Sequence, residues 1–143
     1  MFERILIAFD NSKHAERALH TGLKLAAQLG AQVTVASVAE PLPGYVNIAA
    51  VVAPTMLDET RSEHLKELEK LQADARSVAA TYGLPIQTIL IEAEEVTGIL
   101  ESAVTVRADL LVVGLRRHTQ GIEWAGTVRR IANETPCTIL AVV

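Results

Sequence analysis

Aromatic side chains are scarce in this chain of 143 residues, which has two phenylalanines, two tyrosines and one tryptophan. Half of the residues are nonetheless apolar, so the core must be built from valine, isoleucine, leucine and alanine. That apolar share excludes a disordered chain, and the length suffices for one core without disulfides or metals. So few aromatic rings argue against a protein that stacks the bases of single-stranded nucleic acid.

Three further shortages narrow the class of protein. Thirteen lysines and arginines stand against 17 aspartates and glutamates, a net charge of −4, so no overall positive field is available to hold DNA or RNA. Cys137 is the single cysteine, which excludes an intramolecular disulfide and is typical of a reducing compartment. No stretch approaches the roughly 18 apolar residues of a membrane span, and no secretory signal is recognisable. We therefore expect a cytoplasmic protein with no nucleic-acid or membrane partner.

The chain does have a regular alternation of short apolar runs and amphipathic segments. Residues 5–9 are apolar without alternation, as expected for a strand buried on both faces of a sheet. Apolar residues then recur at three- and four-residue steps as far as Gly30, which predicts a helix with a glycine C-cap. A second strand at residues 33–38 completes a βαβ unit, in which the two strands are parallel.

The same alternation continues to the last residues. Residues 40–55 combine three prolines with apolar side chains, which predicts a loop that folds back over another part of the protein. Beyond it the sequence predicts a helix over 56–82, a strand over 86–91, a helix over 96–106, a strand over 109–113, a helix over 123–134 and a strand over 138–142. Five strands and four helices predict one α/β domain over residues 1–143, a Rossmann-like parallel sheet with helices on both faces.

Two strand ends carry residues that suit a ligand. They are Asp10, Asn11 and Ser12 after the first strand, and Gly114, Arg116 and Arg117 after the fourth. Ligands bind beyond the carboxyl ends of the strands in an open parallel sheet, and glycine, arginine and helix N-termini all suit phosphate. A turn glycine followed by two solvated arginines gives the same local pattern, so the residues alone leave both interpretations open. Neither a P-loop nor the Gly-x-Gly-x-x-Gly dinucleotide motif is present.

The order of these segments resembles that of the universal stress protein family. Residues 111–114, the Gly126-Thr127 pair with Val128, and residues 135–140 are similar to the family's C-terminal signature, in which a Gly-x-x-Gly motif precedes a Gly-Ser/Thr pair and a final strand. Residues 5–12 resemble its opening strand and Asp-Gly-Ser turn. The resemblance spans essentially the whole chain and implies an adenine-nucleotide α-hydrolase-like fold with strand order 3-2-1-4-5.

The resemblance also implies a site for ATP or a related adenine nucleotide, AMP or ADP, with Mg as a candidate companion ion. By position, Asp10 and Val38 would border the adenine, and Gly114 would lie along the ribose and phosphates. Gly126 and Thr127 would hold phosphate through backbone N–H groups and the hydroxyl. The full set of implied nucleotide-binding residues is Asp10, Asn11, Ser12, Val38, Gly114, Arg116, Arg117, Gly126, Thr127 and Val128.

The glycine loop departs from the family pattern in two ways. Arg117 stands at the second glycine position, and the distance from Gly114 to Gly126 is one residue shorter than usual. One interpretation is that Arg117 blocks the approach of a ribose and leaves a nucleotide-free dimeric interaction module. The other is that the loop resembles a Gly-x-Arg-x-Arg/His-Ser/Thr variant, in which Arg116 or Arg117 pairs with phosphate oxygens.

Neither catalysis nor a metal centre is indicated by the remaining residues. The four histidines are scattered along the chain, and no base is placed against a nucleophile, so we expect little or no turnover. The last strand runs apolar from residue 138 to 143 with no charge to protect it as an edge, which predicts a homodimer paired through that strand. The leading hypothesis is a stress-response protein in which a bound adenine nucleotide sets conformation or choice of partner.

Overall fold

The computed structural model describes residues 1–41, 54–116 and 126–143. Strands and helices alternate along these ranges. They are β1 (Arg4–Ala8), α1 (Lys13–Leu29), β2 (Gln32–Ala39), α2 (Pro54–Thr81), β3 (Ile86–Glu92), α3 (Glu95–Thr105), β4 (Leu110–Gly114), α4 (Gly126–Glu134) and β5 (Thr138–Val142). Most of the loop predicted over 40–55 lies outside the described residues, as does Arg117.

The five strands form one parallel sheet in the order β3-β2-β1-β4-β5, which confirms the order that the family resemblance implied. Ile7 of β1 pairs with Val35 of β2 on one side and with Val112 of β4 on the other. On one side of the sheet the strands follow each other from β1 through β2 to β3, and on the other side from β4 to β5. The carboxyl ends of β1 and β4 therefore form the switch point at which open α/β sheets bind their ligands.

Helices cover both faces of the sheet, as the sequence predicts. Helices α1 and α2 pack over a cluster that includes Ile7 and Val35, and α3 and α4 pack over one that includes Leu6 and Leu111. Leu6 and Ile7 are adjacent in β1, point to opposite faces and are both 0% exposed. Burial on both faces explains why the central strands are apolar without alternation.

Helix α1 has the two caps that the sequence predicts. The Ser12 hydroxyl accepts a hydrogen bond from the Ala15 N–H at 3.1 Å and so caps the first turn. Gly30 lies in the left-handed region with φ 66° and closes the last turn. Because both ends are capped, the direction of α1 and the position of its first turn beside β4 are well defined.

The start of α2 differs from the prediction. The helix begins at Pro54 and not at the predicted residue 56. The proline therefore belongs to the helix, whereas the sequence pattern places it in the preceding loop. Proline is accepted at the first helical position because its missing N–H has no intrahelical partner there. The other predicted strands and helices within the described residues agree with the structure to within a few residues at each end, the usual uncertainty of such bounds.

Candidate functional site

A cavity of about 280 Å³ opens at the carboxyl ends of β1, β2 and β4. Its walls include the apolar side chains of Ala36, Val38, Ile99 and Val113. The cavity therefore lies at the switch point of the sheet, and these apolar walls come from β2, β4 and α3. Its volume is close to the lower end of the range, roughly 300–1,000 Å³, that is usual for small-molecule sites.

The structure brings together half of the residues that the sequence implies. Asp10, Val38, Gly114, Thr127 and Val128 all line this cavity, although they come from four separate segments of the chain.

The other implied residues lie elsewhere. Asn11 and Ser12 belong to the turn beside the cavity, and Gly126 is exposed at the start of α4. Arg116 is exposed and does not belong to the described lining. Arg117, on which the two interpretations of the glycine loop depend, lies outside the described residues.

The turn after β1 uses its own side chains to hold its shape. Asp10 Oδ1 accepts a hydrogen bond from the Ser12 N–H at 3.0 Å, and Asn11 adopts φ 68°, a left-handed conformation that asparagine tolerates better than most residues. The Ser12 hydroxyl is engaged as the cap of α1. These bonds fix the Asp10 carboxylate at the mouth of the cavity, while Ser12 has a structural role.

A buried serine holds the ends of β1 and β2 together. The Ser37 hydroxyl donates a hydrogen bond to the Phe9 carbonyl at 2.9 Å, and the Phe9 N–H donates to the Ala36 carbonyl at 2.9 Å. Asp10 follows Phe9 and Val38 follows Ser37 in the chain, so this pair of bonds sets the distance between Asp10 and Val38. Sequence analysis missed Ser37, for which the signal is a single hydroxyl near the end of an otherwise apolar strand.

Gly114 is required by the packing of α1. A Cβ at this position would lie 2.4 Å from the backbone carbon and oxygen of His14 and 2.7 Å from the Ala15 nitrogen. Any side chain would therefore push the first turn of α1 away from the end of β4. The family resemblance implies a role for this glycine along the ribose and phosphates, and the structure adds a packing reason that holds with or without a ligand.

The first turn of α4 lies beside the same cavity. Gly126 begins this helix, and no described atom outside its own helix and chain neighbours lies within 4 Å of the position a Cβ would take. Thr127 and the buried Val128 follow and line the cavity. Because the first N–H groups of a helix have no intrahelical acceptor, this turn can hold an anion.

Two glutamates of the cavity were missed by the sequence analysis. Glu40 follows β2, and Glu95 lies half-buried in the first turn of α3. Burial raises the pKa of Glu95, and the charges of Asp10, Glu40 and Glu94 raise it further. A helix N-terminus favours the charged form of a carboxyl group, so burial and like charges outweigh that effect here. The signals available in the sequence were a glutamate directly after β2 for Glu40, and the Glu94-Glu95 pair shortly after β3 for Glu95.

Glu94 connects the two helices that flank the cavity. Its Oε2 accepts hydrogen bonds from the Thr97 N–H at 3.1 Å and the Thr97 hydroxyl at 2.9 Å, so that it caps α3. Its Oε1 accepts a hydrogen bond from Arg130 Nη1 of α4 at 3.0 Å. These bonds, those from Thr97 above all, lower the pKa of Glu94 to about 2. The carboxylate thereby holds the start of α3 against α4.

The described ranges offer neither a cluster of metal ligands nor a membrane-spanning helix. There, no group of three or more histidine, cysteine, aspartate or glutamate side chains is arranged to hold a metal ion. Across those same ranges, no helix combines the length and the apolar character that crossing a membrane requires.

The fold and the cavity define a class of protein, a parallel α/β domain with a cavity at its switch point. The sequence model of the universal stress protein family matches residues 1–143. A relative from Thermus aquaticus, described as a universal stress protein in the QAH/OAS sulfhydrylase 3′ region, is 30% identical over 149 aligned residues, which cover 99% of each chain. The chain belongs to the universal stress protein family.

Solved structures of the same family share the fold. The universal stress protein from Archaeoglobus fulgidus in complex with dAMP has a TM-score of 0.73 and 21% identity, and the alignment covers 99% of this chain and 98% of that one. A universal stress protein in complex with cAMP has a TM-score of 0.75 and 21% identity, with 99% and 97% of the two chains covered. These likenesses confirm the predicted fold class.

Proposed function

We propose that this protein binds an adenine nucleotide in the switch-point cavity, and that occupancy of the cavity sets its conformation or choice of partner in a stress response. The observation that carries the proposal is the cavity itself, which gathers Asp10, Val38, Gly114 and Thr127 at the one place where the fold favours a ligand. The dAMP and cAMP complexes of structurally similar family members support it.

The residues present suit the parts of a nucleotide. Val38, Ile99 and Val113 offer apolar surface to the faces of a purine, and the Asp10 carboxylate can accept hydrogen bonds from an amino group. Thr127 and the first N–H groups of α4 would hold phosphate. ATP, ADP and AMP are the candidates, with Mg accompanying the polyphosphates. Among the described residues that line the cavity, no hydrogen bond joins a base to a nucleophile, which favours binding with little or no turnover.

The direct test is to denature freshly purified protein and identify the released small molecules by liquid chromatography with mass detection. Stoichiometric AMP, ADP or ATP supports the proposal. An empty protein that also gives no calorimetric signal with AMP or Mg-ATP contradicts it and favours the nucleotide-free interaction module.

A Gly126→Asp variant sharpens this test. The position has open space around it, so we expect the side chain to fit but its negative charge to abolish nucleotide retention at the start of α4. Asn133→Asp is the matched control, because Asn133 is exposed in the last turn of the same helix. Equal retention by the two variants would show that the N-terminus of α4 does not hold the ligand.

We also propose that the protein is a cytoplasmic homodimer joined through β5. Strand β5 is an edge of the sheet, and its apolar residues from Ile139 to Val142 are only partly buried. Pairing with a second copy would cover both the free edge and these side chains. The single half-buried Cys137 is in keeping with a reducing compartment.

A further inference from the structure

The switch-point cavity is acidic as well as small. Asp10, Glu40 and Glu95 line it from the end of β1, the end of β2 and the start of α3. The lining formed by the described residues contains no lysine or arginine, and its one basic side chain is the imidazole of His14. A ligand in this cavity therefore meets three carboxyl groups and no permanent positive charge from these residues.

Among the described residues, no ion pair neutralises these carboxylates. The two ion pairs of the described residues join Arg61 to Glu92 and Arg130 to Glu94, so Asp10, Glu40 and Glu95 have no cationic partner there. The raised pKa of Glu95 reports the same field, because burial and the like charges of Asp10 and Glu40 disfavour another negative charge at this place. A phosphate group brought into the cavity would meet the same repulsion.

We propose that Glu95, acting with Asp10 and Glu40, selects the ligand by charge, so that the site prefers an adenine nucleoside or its monophosphate to ATP. The inference rests on the proposed function and narrows it. Carboxylate oxygens accept hydrogen bonds from a purine amino group and from ribose hydroxyls. The first turn of α4 can offset one phosphate, and each further phosphate adds charge that no lysine or arginine of the described lining balances.

The test compares the affinities of adenosine, AMP, ADP and ATP by calorimetry, with EDTA present so that no divalent cation masks the phosphate charge. The comparison is made at about pH 8, well above the ordinary pKa range of carboxyl groups. The wild-type protein should bind AMP more tightly than ATP. Glu95→Gln keeps the shape and removes the charge, and it should narrow the AMP-over-ATP preference by about five-fold, the effect of one charge on the two further charges of ATP in a partly hydrated site.

Two other variants complete the design. Glu101→Gln removes a charge from an exposed position of the same helix that does not line the cavity, and it should leave the preference unchanged. Glu40→Gln removes a charge from an exposed cavity residue, and it should narrow the preference in the same direction as Glu95→Gln, which keeps the test open if the latter fails to fold.

The outcomes separate the inference from the proposed function. If the wild type binds ATP as tightly as AMP, or if neither cavity variant changes the ratio, selection by charge is wrong while adenine-nucleotide binding stands. If none of the four ligands binds to the wild type or to any folded variant, the proposed function fails, and the inference fails with it.

Discussion

The two adjacent glutamates before and within α3 have opposite electrostatic roles. Glu94 is exposed and accepts three hydrogen bonds, whereas Glu95 is half-buried beside other carboxylates. The pKa of the first is therefore lowered and that of the second is raised. Folding favours the ionised form of Glu94 and the protonated form of Glu95, so the two contribute to stability in different ranges of pH.

Glu95→Gln should stabilise the protein at neutral pH. Because the pKa of Glu95 is raised above its usual 4.5, the folded state binds more protons than the unfolded state between those two pKa values, and wild-type stability falls as the pH rises through that range. The variant cannot ionise and escapes this loss. Thermal melts should show a higher Tm for the variant at neutral pH and equal values below the usual pKa, with Glu101→Gln as control. A Tm difference that is the same at every pH would contradict a raised pKa of Glu95 as the cause.

Single residues were the hardest part of the site to predict. Asp10, Val38 and Thr127 were implied by the family resemblance, and the structure places them around one cavity. Ser37 and Glu95 were missed because hydrophobic periodicity identifies a strand or a helix but does not show which polar side chain turns into a cavity at its end. Such a side chain is identified only when the segments on either side of it have been placed.

At the scale of the strands and helices, Glu94 joins α3 to α4 through its bonds to Thr97 and Arg130. Glu94→Ala removes both the cap and the ion pair, and we expect a lower Tm at neutral pH. Since the pKa of Glu94 is about 2 in the folded state and 4.5 ordinarily, the stabilisation is present above pH 4.5 and is lost as the pH falls towards 2. The Tm difference should therefore shrink over that range.

Arg130→Ala separates the two roles of Glu94. It removes the ion pair and leaves the cap intact. Both side chains of the ion pair are exposed, so the pair contributes little to stability. The drop in Tm should be smaller than for Glu94→Ala. An equal drop for the two variants would show that the tie between the helices, rather than the cap, carries the stabilisation.

The helices and strands were mostly predictable because each has a local signal. Burial of β1, β2 and β4 on both faces requires unbroken apolar runs, and the caps of α1 require residues such as Ser12 and Gly30. The start of α2 was misplaced because a proline ends one pattern and begins the next equally well. The order of the strands has no local signal, since every strand is an apolar run, and it came from the family resemblance.

At the scale of the whole molecule, the exposed edge of β5 predicts self-association. The strand pairs with β4 on one side and, among the described strands, with none on the other. Thr138 and Val143 are exposed at its two ends. The double variant Thr138→Glu and Val143→Glu should place like charges together in an antiparallel pair of strands and dissociate the dimer, because charged residues protect edges against pairing.

Sedimentation velocity at micromolar concentration measures the oligomeric state of the wild type and of the double variant directly. The wild type should sediment as a dimer and the double variant as a folded monomer. Leu65→Glu is the control, because Leu65 is 37% exposed on α2, which packs on β2 and β3 towards the opposite edge of the sheet, and this variant should remain dimeric. A wild type that is monomeric, or a double variant that stays dimeric, would rule out the β5 edge as the interface.

If ligand binding in the cavity is coupled to pairing at the β5 edge, adding AMP should change the dimer dissociation constant of the wild type. A dissociation constant that does not depend on nucleotide would show that occupancy of the cavity does not control assembly.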